Sequence, residues 1–427
     1  MLHHIQRALL AILSAATLSA APPVYRAVYY VPDQAAQPSG ITEGSPGLFY
    51  IQANGTFILS VTVSGTGTTV AAFQDPPYLI ESRVISGPNH LIYSSVTSAG
   101  PNGKGQANVF SVGPTPGGQE SYPPQALLPY LTQNLPNGTF LASLGVYSDD
   151  SSALGIVDTS GKVTSLYQFP QGDLPNSVLY GGDGNYYGAA NTRGAPGYVY
   201  QLTQAGSFTK LGTVPFPGIG LVLQASDGNF YGTTPVIGGA YAGSVFKLTP
   251  AGQYTVLHTF GNRQTGVIDA LLEGSDGKLY GVTEGQTFFS LTTSGQYKLA
   301  YQEKNGHEGV CPCSMIQGSD GIFYGTAAGG GLTGAGEVFA LDLGLPRPAP
   351  KAQHFVPESG VVGTKIRIWG YNLLSASVQF NGVASTAVTN SGPNYVYATV
   401  PEGATTGPIT ITTPGGTVAT KANFAVP

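Results

Sequence analysis

Charge is scarce in this chain. Lys, Arg, Asp and Glu make up only 9% of its 427 residues, against roughly 25% in an average soluble protein. The 17 basic and 22 acidic residues are spread thinly, for a net charge of -5, and no basic stripe runs along any segment. That excludes nucleic acid as an expected partner, since a phosphate backbone is held by clustered Lys and Arg, and argues equally against an anionic membrane surface. Cysteine is scarcer still. Two residues, Cys311 and Cys313, cannot staple a disulfide framework. No long amphipathic helical pattern occurs, which excludes a helical bundle. Long apolar runs are also missing: the stretch from Ala8 to Leu18 is too short to cross a bilayer. With Arg7 before it and small residues after it, residues 1–21 have the layout of a secretory signal peptide cleaved near Ala20 or Ala21, an uncleaved anchor being the alternative. The expected location is therefore secreted, periplasmic or cell-surface associated, with no integral membrane span after cleavage.

Glycine (61 residues) and proline (32) are abundant, and so are tyrosine (25) and phenylalanine (18). Aromatics at that level argue against disorder; short strands joined by glycine-rich turns fit better. The chain repeats itself. SDGNFYG at Ser226 recurs as GDGNYYG at Gly182, SDGKLYG at Ser275 and SDGIFYG at Ser319, with weaker copies at Ser45, Pro88 and Pro136. From Pro46 through Asn89, Asn137, Asp183, Asp227 and Asp276 to Asp320, the spacings are 43, 48, 46, 44, 49 and 44 residues. Each unit holds four apolar runs. In the fifth these are Leu221 to Gln224, Phe230 to Thr234, Ser244 to Leu248 and Tyr254 to Phe260. Asp-Gly between the first two predicts a tight hairpin of type I′, with positive φ at both central residues.

Repeated four-stranded units of this length predict an all-β fold, a seven-bladed β-propeller over residues 22–345, with an open β-solenoid as the competitor. The last unit runs into LGLPRPAP without a fourth strand, while YRAVYYV at Tyr25 precedes the first unit. The N-terminal strand is therefore expected to complete the last blade and close the ring, leaving few free edges.

DGNFYGTTPVIGGAYAGSVFKLTPAGQYTVLHTF resembles the GloVer tandem repeat of exported bacterial proteins, closely over Asp183 to Leu343 and weakly before that. The resemblance implies a repeat architecture and no particular activity.

Residues 346–351 form a proline-rich linker. Beyond it, over 352–427, alternation in Lys365 to Trp369 and in Ile409 to Thr412 predicts half-buried strands of a small immunoglobulin-like β-sandwich. Gly363-Thr364, Gly370, Asn372-Leu373, Phe380-Asn381-Gly382 and Val400-Pro401 resemble an IPT/TIG domain. Such domains serve as spacers or protein-contact modules. DNA binding, seen in some relatives, is not implied, because only Lys351, Lys365, Arg367 and Lys421 supply positive charge here.

Chemistry-bearing motifs are few. Gly329 to Gly334 fits G-x-G-x-x-G, but a strand follows instead of the helix a dinucleotide site needs. Asp183, Asp227, Asp276 and Asp320 each offer one carboxylate on a separate blade, whereas calcium needs six to eight converging oxygens; they are expected to form turns. His307, Glu308, Cys311 and Cys313 are the nearest approach to a metal cluster, with a buried or disulfide-linked cysteine pair the favoured reading. No cofactor or metal is expected, and no catalytic set stands out.

The function expected from this is a non-catalytic exported propeller, more a binder or scaffold than an enzyme, recognising a glycan or a cell-surface protein through its variable loops. Arg193, Tyr241, Arg263, His307 and Glu308 are the candidate ligand-binding residues. The alternative is a propeller-type carbohydrate-active enzyme, a polysaccharide lyase or glycosidase, which a cluster of two carboxylates or of His with Arg or Tyr would favour. A third reading is a display scaffold working through the C-terminal domain.

Overall fold

The computed structural model describes residues 22–427 apart from 33–36, 54–55, 74–78, 81–82, 100–104, 114–118, 122–127, 146–151, 193–194, 215–219, 235–242, 262–267, 284–286, 303–308 and 391. The signal-like segment 1–21 lies outside the described residues.

Strands dominate, and they group by repeat. Among the described residues, seven antiparallel sheets succeed one another ahead of the C-terminal unit, the third being Leu128–Asn134, Phe140–Gly145, Ser152–Val157 and Val163–Gln168, paired in that order. The seventh takes three strands from the last repeat, Gly309–Gln317, Phe323–Gly330 and Glu337–Asp342, and its fourth from the N-terminus. There Val24–Tyr30 runs antiparallel to Glu337–Asp342, with Tyr25 opposite Leu341. Together these sheets make a propeller-like body.

The apolar pair at the start of the second strand of each repeat, Phe-Tyr in three of the seven, explains how the sheets stack. Successive strand residues point to opposite faces, so the first of the pair meets the preceding sheet and the second meets the following one. Tyr187 packs on Phe230 with ring centroids 4.3 Å apart, Tyr280 on Phe323 at 4.9 Å and Tyr93 on Phe140 at 4.6 Å. The same contact joins the ends of the chain: Tyr324 of the seventh sheet packs on Phe49 of the first at 4.3 Å. Each neighbouring pair of sheets shares one apolar cluster, and one cluster unites Val338 and Tyr324 with Phe49, Ile51 and Val61. Burying such side chains contributes about 1.5–3 kcal/mol each.

The Asp-Gly turn differs from the predicted type. Gly228 N–H donates to Ala225 O and Ala225 N–H to Asn229 O, both at 2.9 Å. Gly228 has φ +81°, whereas Asp227 is not among the described residues with positive φ. This is a three-residue loop, a type I turn followed by a left-handed glycine. The reason is the Asp227 side chain. One carboxylate oxygen accepts from Asn229 N–H at 3.0 Å and the other from the Tyr231 hydroxyl at 2.7 Å. The same tie joins Asp183 to Tyr187, Asp276 to Tyr280 and Asp320 to Tyr324, at 2.7, 3.0 and 2.7 Å. These carboxylates therefore fix the tyrosine that stacks on the next sheet.

Two further four-stranded sheets form the C-terminal unit. One holds Lys351–Val356, Lys365–Tyr371, Tyr395–Thr399 and Val388–Asn390; the other holds Val383–Ala384, Ser377–Phe380, Gly407–Thr413 and Gly416–Phe424. They face each other across Phe355, Ile366, Ile368, Val378, Phe380, Val396, Ile409 and Ile411. The first strand starts at Lys351, inside the stretch expected to be linker.

Candidate functional site

Alternation in the first of these sheets produces two different faces. Phe355, Ile368 and Val396 lie side by side and point into the core. Their neighbours point the other way: His354 pairs with Trp369 and Trp369 with Tyr395, while Val356 pairs with Arg367 and Arg367 with Tyr397. This second face is turned toward the propeller-like body. Trp369 and Tyr395 are buried although they lie outside the sandwich core. The Tyr395 hydroxyl donates to Leu135 O at 2.9 Å, and Gln133 donates to the Tyr371 hydroxyl at 2.8 Å. Trp369 meets Tyr180 edge-on at 5.9 Å. On the far side Lys351 pairs with Glu273 at 3.4 Å, and the Ser275 hydroxyl donates to Pro346 O at 2.6 Å.

Beside this seam the two units leave a cleft with two adjoining lobes of about 250 and about 290 Å³. Pro136, Tyr180, Gln204 and His354 line both lobes; Arg367 and Tyr186 close one and Trp369 the other. His354 is exposed, so its imidazole is open to solvent. Tyr180 sits at the end of the first strand of the fourth sheet, and its backbone N–H donates to Gln133 at 2.8 Å. Burial, and to a smaller extent the nearby Asp183, push its hydroxyl above the usual tyrosine range, against a hydrogen bond received from Gln204. Tyr180 therefore stays protonated at neutral pH and is able to donate. Arg367 Nε and Trp369 Nε1 are buried with no acceptor.

A smaller cavity of about 180 Å³ lies where Glu43, Gln317 and Ser319 face Asn372, Asn394 and Thr413. No histidine, lysine or arginine lines it.

The five residues proposed from sequence, Arg193, Tyr241, Arg263, His307 and Glu308, all lie outside the described residues. Cys311 and Cys313 fall on the first strand of the seventh sheet, and Cys313 is half-buried. Among the described residues, no three His, Cys, Asp or Glu side chains come together as a metal site. Gly329 to Gly334 leads from one strand into another, as the sequence suggests. The sequence alone gives His354 no role, and it places Arg367 and Trp369 on a half-buried strand without assigning either to a site. The available signal was Arg367-x-Trp369-x-Tyr371 on the outward side of a strand, where a mere spacer would carry small polar residues.

The repeat sequence, its sheets and this geometry can be set against known proteins. A model of the Gloeobacter/Verrucomicrobia repeat matches residues 175–388, half of the chain. The chain belongs to that family. No curated protein matches it by sequence. Among solved structures it is similar to a catalytically inactive virginiamycin B lyase from Staphylococcus aureus with quinupristin, at 15% identity, covering 75% of this chain and 99% of that one with a TM-score of 0.55. A streptogramin B lyase matches at 16% identity over 75% and 97% of the two chains, TM-score 0.54. At such identity the likeness establishes a shared fold.

These similar structures correct the functional expectation. The non-catalytic binder or scaffold, and the expectation that the chain is more likely no enzyme, rested on sparse charge and few histidines. Both neighbours are lyases on the same architecture, so the fold does not count against catalysis. Among the described residues no helix is long and apolar enough to cross a membrane.

Proposed function

We propose that this member of the family is an exported enzyme: a closed seven-bladed β-propeller with a C-terminal immunoglobulin-like domain of IPT/TIG type, catalysing an elimination in the cleft between the two. The observation that carries the reading is the convergence of His354, Tyr180 and Arg367 on one cleft, which gives a base, an acid and a fixed positive charge. The exposed imidazole of His354 would take the proton from a carbon next to a carboxyl or ester group. Arg367, always charged, would stabilise the negative charge that develops on that group. As the C=C bond forms and the C–O bond breaks, Tyr180 would give its proton to the departing oxygen. His354 then loses its proton to solvent and Tyr180 regains one, so no other reactant is required. General acid–base help of this kind supplies about 10²–10⁴-fold each.

Closure of the propeller is supported by the N-terminal strand in the seventh sheet and by the Tyr324–Phe49 contact. A panel of esters and glycosides with a leaving group β to a carboxyl tests the activity, read as ultraviolet absorbance of the new conjugated double bond. Tyr180→Phe should lower turnover about 10²-fold or more with folding intact. Hydrolysis products without a conjugated double bond would sink the elimination.

A further inference from the structure

The cleft has a one-sided hydrogen-bonding character. Arg367 Nε and Trp369 Nε1 are buried without an acceptor, and Trp369 is only 2% exposed. Both groups donate and cannot accept, so each calls for an oxygen that the protein itself does not provide. Two of the polar neighbours are already engaged. Gln204 donates to Gly184 O at 2.8 Å and to the Tyr180 hydroxyl at 3.4 Å. Asn137 Oδ1 accepts from Thr139 N–H and its hydroxyl, at 3.1 and 2.6 Å. No carboxylate lines either lobe; Asp183, whose charge acts on Tyr180, is tied to Asn185 and Tyr187. Flat aromatic surface stands beside the donors, from Tyr180, Tyr186 and Trp369.

We infer that the cleft takes a small organic carboxylate, whose carboxyl oxygens accept from Arg367 and Trp369 while its body lies against Tyr180 and Tyr186. Arg367 offers a planar fork that matches a carboxylate. A neutral hydroxyl would leave its charge unpaired. The inference rests on the elimination reading, since a carboxylate held there lies next to the carbon that His354 would deprotonate.

Trp369 is the only tryptophan in the chain, so tryptophan fluorescence of the full-length protein reports on this cleft alone. Excited where tyrosine does not absorb, the protein is titrated with galacturonate and with N-acetylphenylalanine, carboxylates from sugar and amino-acid sources. Galactose and N-acetylphenylalaninamide are the matched neutral compounds. The expected result is a saturable change with at least one carboxylate, weakened about tenfold or more for its neutral partner and for Arg367→Gln. Saturation by one carboxylate and not the other names the source. If Arg367→Gln fails to fold, Arg367→Lys, which keeps the charge and loses the fork, takes its place. No saturable change with either carboxylate, or equal affinity for the neutral partners, overturns the inference. Carboxylate binding without turnover of any ester or glycoside would support this inference and sink the elimination reading. Turnover of uncharged substrates alone would do the reverse.

Discussion

Glu43, in the first sheet, accepts hydrogen bonds from the backbone N–H and the hydroxyl of Ser319, 276 residues later in the seventh sheet, both at 2.9 Å. The position recurs. Gln317 accepts from Ser275 N–H and Gln224 from Gly182 N–H, each at 2.8 Å, and Glu273 accepts from Ser226 N–H at 2.9 Å. Each acceptor stands three residues before the turn residue of its own repeat and clasps the turn of the sheet before it. Glu43 makes that clasp between the two ends of the chain.

Glutamine does this work at two of the positions, so Glu43→Gln should be nearly neutral. Glu43 is buried, and burial raises its pKa against the hydrogen bonds from Gly47 and Ser319, so loss of the charge offsets the weaker acceptor. Glu43→Ala removes the acceptor of three donors, the Gly47 N–H and the N–H and hydroxyl of Ser319, and should cost about 3 kcal/mol or more. Thermal melts of the two variants check this ranking; a Glu43→Gln variant as unstable as Glu43→Ala would contradict it.

Two glycines of SDGNFYG should respond differently to alanine. At Gly228 a Cβ would meet nothing within 4 Å, and the cost is the left-handed backbone alone, roughly 1 kcal/mol. At Gly232 a Cβ would fall 2.3 Å from Gly220 O and from the Phe246 ring. Gly232→Ala must push an aromatic out of a packed interface and should cost more, about 2–3 kcal/mol. Denaturant midpoints measure both; a larger loss at Gly228 would show that the Phe246 contact is not limiting.

Acid should weaken the repeats through their turns. Burial opposes ionisation of Asp183, Asp227 and Asp276, but hydrogen bonds from the neighbouring Asn or Lys and from the tyrosine outweigh it and hold all three below the usual 3.8. A carboxyl with a lowered folded pKa adds stability above its unfolded pKa and loses it as pH falls through the folded value. Glu43 has the opposite sign, its contribution improving as pH drops toward 4.5. The melting temperature should therefore fall steeply only below about pH 3.8. Asp227→Asn should be less stable than the parent at neutral pH and converge with it in acid; a gap that persists below that range would assign the loss to something other than the charge.

Much of this architecture was legible in the sequence because it repeats. Asp-Gly ahead of an apolar, aromatic-bearing pair marks a turn and the strand after it in four repeats, and three weaker copies at similar spacing complete the series of sheets. The turn type was not legible, since Asp227 spends its carboxylate on Asn229 and Tyr231, a contact that fixes the loop at three residues. The clasp was visible in principle, as Glu or Gln three residues before the turn at Glu43, Gln224, Glu273 and Gln317. The cleft was harder to see. His354, Arg367 and Trp369 belong to one unit and Tyr180 and Gln204 to the other, and only docking of the sandwich brings them together.

That docking should depend on the outward face of the sandwich. Tyr395→Phe loses the hydrogen bond to Leu135 O at about 1 kcal/mol, whereas Tyr395→Ala opens a cavity under a fully buried ring and should cost about 3–5 kcal/mol. Limited proteolysis between residues 345 and 351 should accelerate for the alanine variant; unchanged cleavage and melting would mean the seam does not hold the units together.

The most direct test is the rate of double-bond formation for His354→Ala beside the unmodified protein, on whichever substrate the panel identifies. His354 is exposed, so the variant should keep its melting temperature. The expected result is a fall in kcat of about 10²-fold or more. Full activity in a stable His354→Ala protein would contradict the assignment and place the chemistry outside the cleft.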